Sequence, residues 1–411
     1  MNISSFIAGR IAANPQRSFS RFIIRLSVVA TIISVAAMII TLAFANGFQQ
    51  KVSEKVFSFW GHIRLQEVYH TQSVVNEEYP ITANDTLLAE IKQIPGVKNI
   101  HPFATKYAML KTPDDLEGVL VKGLDSSYDA TPIKDFIKEG TFIAFNDSTY
   151  SRQIMISQHT AQQMKLKLQD KVLIYFIRPD GNLRPDRLTI VGIFKTGIEE
   201  YDKTFAIGDI KLIRRLNDWQ PNQIGGYEIF IDDYKKIDTV TAQILDLPAL
   251  PANWNAIGIQ KITPNIFDWL NMQDVTRNVL IAIMVVVAVI NLVTCLIILV
   301  LERMRMIGIL KALGASDWEV QKIFLRYSLI ITLSGIVIGA ATALALLYAQ
   351  IKTGFIKLNE DAYYLDRAAV KISASEIMVI CSGTFLICLL VLLIPTYIVK
   401  KVQPVKAIHF R

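Results

Sequence analysis

Four uninterrupted apolar runs, Leu26–Ala45, Val279–Leu301, Ser328–Ala349 and Ile377–Ile398, decide most of what this chain can become. Each is close to the roughly 20 residues with which a helix crosses the ~30 Å hydrocarbon core of a bilayer. A mean hydropathy of +0.36 over 411 residues points the same way, to membrane spans and not to one large soluble core. The expected architecture is an α-helical membrane protein with four transmembrane helices, and a large α+β domain outside the membrane between helices 1 and 2.

Charge sets the orientation. Arg10, Arg17, Arg21 and Arg25 precede the first span and Lys400, Lys401, Lys406 and Arg411 follow the fourth, with no acidic residue in either segment. The excess of basic residues on the cytoplasmic side places both termini there. The chain then divides into a cytoplasmic segment 1–25, a first span 26–48 and an exterior domain 49–275. A second span 279–301, a cytoplasmic connection 302–322 and a third span 323–349 follow. An outer loop 350–376, a fourth span 377–399 and a cytoplasmic tail 400–411 complete it. The AFA at 43–45 imitates a signal-peptidase site, but the run before it exceeds the ~7–15 apolar residues of a secretory signal, so an uncleaved span is expected. Cys295, Cys381 and Cys388 all fall inside spans, which leaves the exterior domain without a disulfide and dependent on its core.

In the exterior domain strand-like runs recur at 61–66, 107–111, 119–123, 171–177, 188–194 and 227–231. Helical patterns lie at Thr86–Ile94, Ser157–Leu168, Asp209–Leu216 and Tyr234–Leu245. The mixture indicates an α+β fold, with about 140–210 as an inserted subdomain. Pro95 and Gly96 stop one helix before Val97 opens the extended state. The stretch IRPDGNLRPDR at 177–187 is turn-rich and sits between two apolar strands. It reads as an ordinary exposed hairpin, or as an arm gripping a partner through Arg178, Pro179, Arg184, Pro185 and Arg187.

Catalytic signatures are missing. The five histidines, His62, His70, His101, His159 and His409, have no metal-ligand spacing, and neither G-x-S-x-G nor H-E-x-x-H occurs. No catalytic residue, metal site or cofactor bound by this chain is therefore expected. A G-x-x-x-x-G-K-[ST] phosphate loop is absent too, so the chain cannot bind ATP by that route.

The connection between the second and third spans reads ERMRMIGILKALGAS, Glu302 to Ser316. Met306, Ile309, Leu310 and Leu313 form an apolar stripe at helical spacing, Gly314 suits a left-handed helix end, and Ser316 with Glu319 fits a capping box opening the next helix. A helix resting on the membrane surface satisfies the same pattern. In the third span, Gly335 and Gly339 form a G-x-x-x-G, a motif for close helix packing or for dimerisation.

Residues 303–316 resemble the coupling segment of ABC-transporter permeases of the cell-division and macrolide-exporter superfamily, R-x-R-x-I-G-x-L-K-A-L-G-A-S. Further stretches narrow the resemblance to the lipoprotein-releasing (Lol-type) permeases of Gram-negative bacteria: FIAGRI at 6–11, GIF at 192–194, EYD at 200–202, FAI at 205–207, LNEDAYYLD at 358–366, Pro395, and QPVKAI at 403–408. The chain departs from that pattern after Asp366, where Arg367 stands in place of a leucine-proline pair. Its arm is shorter than the carrier-gripping hook of one of the family's two subunit types. The resemblance leaves the subunit type, and a homodimer or heterodimer, open.

That resemblance implies a periplasmic exterior domain in a bacterial inner-membrane protein, with an ATPase dimer on the cytoplasmic side binding ATP and magnesium. It implies ATPase coupling through Arg303, Arg305, Gly308, Leu310, Lys311, Leu313, Gly314 and Ser316. It also implies a second permease copy or paralogue, a lipoprotein substrate and a soluble periplasmic carrier. Met38, Leu42, Phe44, Phe48, Val52 and Phe59 are the candidates for lining a lipoprotein cavity. A permease of the cell-division or peptide-sensing type, which signals and moves no substrate, is the alternative; a membrane-anchored hydrolase and a passive scaffold are others from different classes.

Overall fold

The structure, a computed structural model, describes residues 19–68, 78–146, 149–177 and 182–391. It separates into two compact units. One comprises Met1–Gln49, Asn271–Lys357 and Arg367–Arg411; the other comprises Gln50–Leu270 and Leu358–Asp366. The N-terminal motif at 6–11, Pro395 and the closing motif at 403–408 lie outside the described residues.

Among the described residues, five helices lie wholly or mainly in the membrane unit: α1, Phe19–Trp60, whose residues from Gln50 on belong to the other unit; α2, Pro264–Glu302, which enters the membrane unit at Asn271; α3, Met304–Ala312; α4, Asp317–Thr353; and α5, Ala374–Val391. Helices α1, α2, α4 and α5 are long and apolar enough to cross a membrane. Three run far beyond a span. The 42 residues of α1 extend about 63 Å, and the 39 of α2 about 58 Å, roughly twice the hydrocarbon thickness. Helix α1 therefore continues past the expected end at residue 48, and α4 begins at Asp317, inside the expected 302–322 connection. The continuity has a local cause: 49–60 holds no proline or glycine, and Pro264 sits at the first position of α2, where its missing N–H costs no helical bond.

Two apolar clusters hold these helices. Leu292, Leu296 and Leu299 of α2 pack with Ile307 of α3, with Val320, Phe324 and Tyr327 of α4, and with Cys388. Val35, Met38 and Ile39 of α1 pack with Ile336, Ala343 and Leu347 of α4. The G-x-x-x-G lies at this second contact. A Cβ on Gly335 would fall 2.7 Å from Thr31 Cγ2, and one on Gly339 would fall 2.8 Å from the Ile32 carbonyl oxygen. The motif packs α4 on α1 within one chain. Gly335→Leu is expected to destabilise the chain by about 1–3 kcal/mol through overpacking, read as a lowered melting temperature in detergent with oligomeric state unchanged.

Among the described residues the exterior unit has twelve strands: β1, Ile63–Glu67; β2, Ile81–Thr82; β3, Val97–Lys111; β4, Leu116–Leu124; β5, Ile137–Gly140; β6, Gln153–Ser157; β7, Lys171–Ile177; β8, Leu183–Phe194; β9, Phe205–Asp209; β10, Gln223–Ile224; β11, Gly226–Ile231; and β12, Trp254–Gly258. Ten form one sheet and β2 with β10 form a ribbon. The first half of β3 pairs with β11 in the antiparallel array β12-β1-β11-β3. Its second half pairs with both β4 and β7. Since β7 pairs with β8, β8 with β6, β6 with β9 and β9 with β4, the ladder returns to β3 and closes into a six-stranded barrel. Closure removes most free edges. The barrel is filled by Leu110, Val121, Ile154, Ile156, Ile174, Phe176, Leu188 and Ile190. Residues 140–210 supply β6 to β9, and β3 and β4 supply the rest.

Charged side chains are buried where the C-terminal turn of α1 enters this domain. Lys122 on β4 lies 2.7 Å from Glu228 on β11 and donates to the Phe59 carbonyl, one of the orphan acceptors at the end of α1. Arg64 on β1 pairs with Glu78 at 2.8 Å, its guanidinium stacked over the Phe103 and Trp60 rings. Glu78 also accepts from the Thr105 amide and hydroxyl, so both its oxygens are used.

Nearby, His62 stacks on Phe57 with 4.3 Å between ring centres, and its Nδ1 accepts from the Ile231 amide. Burial, helped by the Lys98 charge, lowers its pKa to about 4. The unfolded chain, with a pKa near 6.5, binds the proton that the folded chain refuses. This contribution is complete above pH 6.5 and is lost as pH falls towards 4, up to about 3 kcal/mol. Melting curves from pH 7 to 4 should show that slope, flattened in His62→Asn.

Candidate functional site

Helix α3 is cut from α2 at Arg303, whose non-helical backbone ends one helix and starts the other. At its far end Gly314 takes φ +92°, a conformation natural only to glycine. The Gly314 amide donates to the Lys311 carbonyl and the Ala315 amide to the Leu310 carbonyl, the two bonds of a Schellman ending. The next helix opens at once. Ser316 Oγ accepts from the Glu319 amide at 3.4 Å, and Glu319 Oε2 accepts from the Ser316 amide at 2.9 Å, the reciprocal pair of a capping box. Lys311 Nζ bridges the turn to Asp317 at 2.9 Å. So α3 and α4 are joined by a turn with little freedom, stabilised at both helix ends.

The placement of the expected coupling residues differs from the stripe read in the sequence. Ile307 and Gly308 are buried, and Met306 and Leu310 pack on the same core as Phe324. Lys311, with its side chain 8% exposed, is engaged in the turn. Facing solvent are Arg305, Gly314 and Ser316, with Ile309 at 50% exposure and Leu313 at 80%; Arg303 is half-buried at the break. Trp318, absent from the sequence-derived set, adds an exposed ring at the start of α4. The outward face of α3 and the first turn of α4 thus carry Arg305, Ile309, Leu313 and Trp318: apolar side chains with one cation.

The cavity candidates also divide. Met38, Val52 and Phe59 are wholly buried inside their own units, Phe59 against Tyr201, Phe205 and Phe194. Leu42, Phe44 and Phe48 keep partial exposure. A row missed in the sequence lies on α2, where Met272, Val275, Val279, Ile283, Val286 and Ile290 are all exposed and recur at helical spacing on one face. Flanking polar residues gave the row's outer end no apolar signature. Of the arm, Arg178 and Pro179 lie outside the described residues. Arg184, Pro185 and Arg187 are on β8, opposite Phe176, Tyr175 and Leu173 of β7, and Ile177 and Leu183 are exposed as the last pair of the hairpin.

Residues 26–247 match the MacB-like periplasmic core domain, and residues 278–404 match the FtsX-like permease C-terminal domain. The chain belongs to the MacB/FtsX family of permeases. Among curated relatives of this permease, the "Lipoprotein-releasing system transmembrane protein LolC" of Haemophilus influenzae is 25% identical over 99% of both chains. LolC of Neisseria meningitidis serogroup B is 22% identical over 97% of both, and LolE of Haemophilus influenzae is 23% identical over 99% of both. Among solved structures, the extracellular domain of the transporter YknZ from Gram-positive bacteria covers 48% of this chain at 14% identity, with a TM-score of 0.32. The four apolar helices and the MacB-like domain make this a multi-pass membrane protein with a periplasmic-type α+β domain.

Proposed function

We propose that this permease is the membrane subunit of an ABC transporter that extracts lipoproteins from the outer leaflet of the inner membrane and hands them to a periplasmic carrier. The likeness to LolC and LolE over almost the whole chain carries the reading. Both termini and α3 face the cytoplasm, where a separate ATPase dimer holds ATP and magnesium and receives Arg305, Ile309, Leu313 and Trp318 in a groove. Because the Schellman turn and capping box join α3 to α4, closure of the ATPase moves the two as one piece.

The load is substantial. Each acyl methylene withdrawn from the bilayer costs about 0.8 kcal/mol, so a triacylated anchor has to be moved through a greasy enclosure and not through water. Leu42, Phe44 and Phe48 of α1, with the exposed row on α2, supply apolar surface for such an enclosure between this chain and a second permease, either a copy or a paralogue. The β7–β8 hairpin with Arg184, Pro185 and Arg187 is the surface assigned to the carrier.

The test is reconstitution of the chain with its ATPase in proteoliposomes containing a triacylated lipoprotein. ATP-dependent transfer of that lipoprotein to a soluble carrier is expected. A complex that assembles and hydrolyses ATP while the lipoprotein stays in the bilayer would instead indicate the signalling type of permease.

A further inference from the structure

Two stretches separated by more than 150 positions, each outside the coupling helix, meet in the exterior unit. One is the turn after β8 and the short helix that follows it, 195–204. The other is the strap 358–366, the middle of the connection from α4 to α5. The turn is organised by Asp202, which is buried and accepts from the Thr196 amide at 2.8 Å, the Thr196 hydroxyl at 2.9 Å and the Gly197 amide at 3.0 Å. Those bonds present Lys195 and Gly197 to the strap. Glu360 lies on them: its Oε2 is 2.5 Å from Lys195 Nζ, and its Oε1 is 3.9 Å from Lys55 Nζ on α1.

Gly197 shows how closely the pieces fit. It has φ +74°, and a Cβ there would lie 2.5 Å from Glu360 Oε1 and 2.7 Å from Lys55 Nζ. A side chain is disfavoured there by the backbone conformation, and its Cβ would have to push aside the flexible ends of Glu360 and Lys55. The strap has further fastenings. Lys55 donates to the Tyr364 carbonyl at 2.6 Å, the Tyr364 ring meets Trp269 edge-on at 5.6 Å, and Leu365 is buried. The Leu358 amide donates to the Asp366 carbonyl, closing the strap on itself.

We propose that Glu360 is a positioning residue for transport, and that the strap it fastens is a line of force from the coupling helix to the exterior domain, separate from the direct continuation of α2. The inference rests on the permease reading above. Helix α4 runs unbroken from its capping box beside α3 to Thr353, and the chain then enters the strap. Movement of α3 is carried along α4, through Glu360, to the end of β8 and so to the barrel. Lys55 places the same carboxylate against the outer part of α1. The Glu360–Lys195 pair is partly solvated and adds modestly to folding stability. Its loss should therefore spare the fold while slackening the link.

The experiment uses the full chain with its ATPase in proteoliposomes and compares wild type with Glu360→Ala, Glu360→Lys, Lys195→Glu, the double variant Lys195→Glu with Glu360→Lys, and Gly197→Ala. Two quantities are read: lipoprotein released per ATP hydrolysed, and the ATP-dependent change in amide exchange over β7 and β8. The single variants should keep ATP hydrolysis and lose at least about fivefold in release per ATP, the lower range of coupling between distant sites. The double variant, with the pair reversed, should recover part of that loss, which a merely structural role would not predict. Wild-type release per ATP in Glu360→Ala and Gly197→Ala overturns the proposal, and so does a double variant no better than its parents. Should one substitution prevent assembly with the ATPase, the isosteric Glu360→Gln takes its place under the same criteria. If the wild type itself releases nothing, the transport reading fails while exchange still decides the strap. An ATP-dependent change present in wild type and lost in Glu360→Ala sustains the link; a change that is unaltered by the variant, or absent from wild type, refutes it.

Discussion

Replacing Lys122 with methionine is expected to destabilise the exterior domain by about 3–5 kcal/mol, the usual cost of removing one partner of a buried ion pair. Lys122 is 0% exposed, and so is Glu228. Burial pulls the lysine pKa down and the glutamate pKa up, each towards neutrality, and their mutual attraction opposes both shifts. Methionine fills nearly the same volume against the rings of Trp60, Phe59 and Tyr128, so packing is largely conserved. What disappears is the counter-charge to Glu228 and the donor to the Phe59 carbonyl. For a domain of this size the loss corresponds to a melting temperature lower by about 10 °C. The double variant Lys122→Met with Glu228→Leu removes both charges and should recover most of the loss. Equal destabilisation in the single and double variants would show that the helix-end hydrogen bond, and not the ion pair, dominates. An unchanged melting temperature in Lys122→Met would refute the prediction.

The same residues show how far the sequence could be read. The apolar runs declare four membrane helices because their length alone matches a bilayer. Strands β7 and β11 lie where alternation places them, and the helices Asp85–Gln93 and Ile210–Leu216 fall within a residue or so of expectation. The stretch of β3 from 97 to 106 does not declare itself, since Pro102 interrupts it and Thr105 and Lys106, polar by type, are both buried although consecutive strand residues face opposite sides. Lys122, Arg64 and Glu228 lie on strands that the sequence does declare, but their burial is not legible there, because charged residues on strands are ordinarily solvated and these are paired indoors. Barrel closure rests on pairings between distant strands, which no local pattern encodes. The strap at 358–366 and the stretches at 192–194 and 200–202 that flank the turn each carry a resemblance, but that Glu360 touches Lys195 is a property of the fold.

Helix α3 exposes a different limit. Ile309→Asp and Leu313→Asp are each expected to weaken binding of the ATPase by about 2 kcal/mol or more, roughly thirtyfold, as for anchor residues at the centre of an interface. Together they should abolish copurification of the ATPase and ATP-driven release. Helix α3 is apolar on two sides: Ile307, Met306 and Leu310 face the core of the membrane unit, while Ile309 and Leu313 face outward. A sequence stripe drawn through Met306, Ile309, Leu310 and Leu313 merges these sides, because a helix pressed between its own core and a partner lacks one polar face to mark the boundary. The distinction is measurable. Aspartate at Ile309 or Leu313 enters water in the free chain, so the melting temperature should hold while the ATPase is lost. Aspartate at Leu310 places a carboxylate against Phe324 and its neighbours, so it should lower the melting temperature and reduce ATPase binding only as a consequence. Retained ATPase binding in the Ile309→Asp, Leu313→Asp double variant would refute the assignment of these two side chains to the interface.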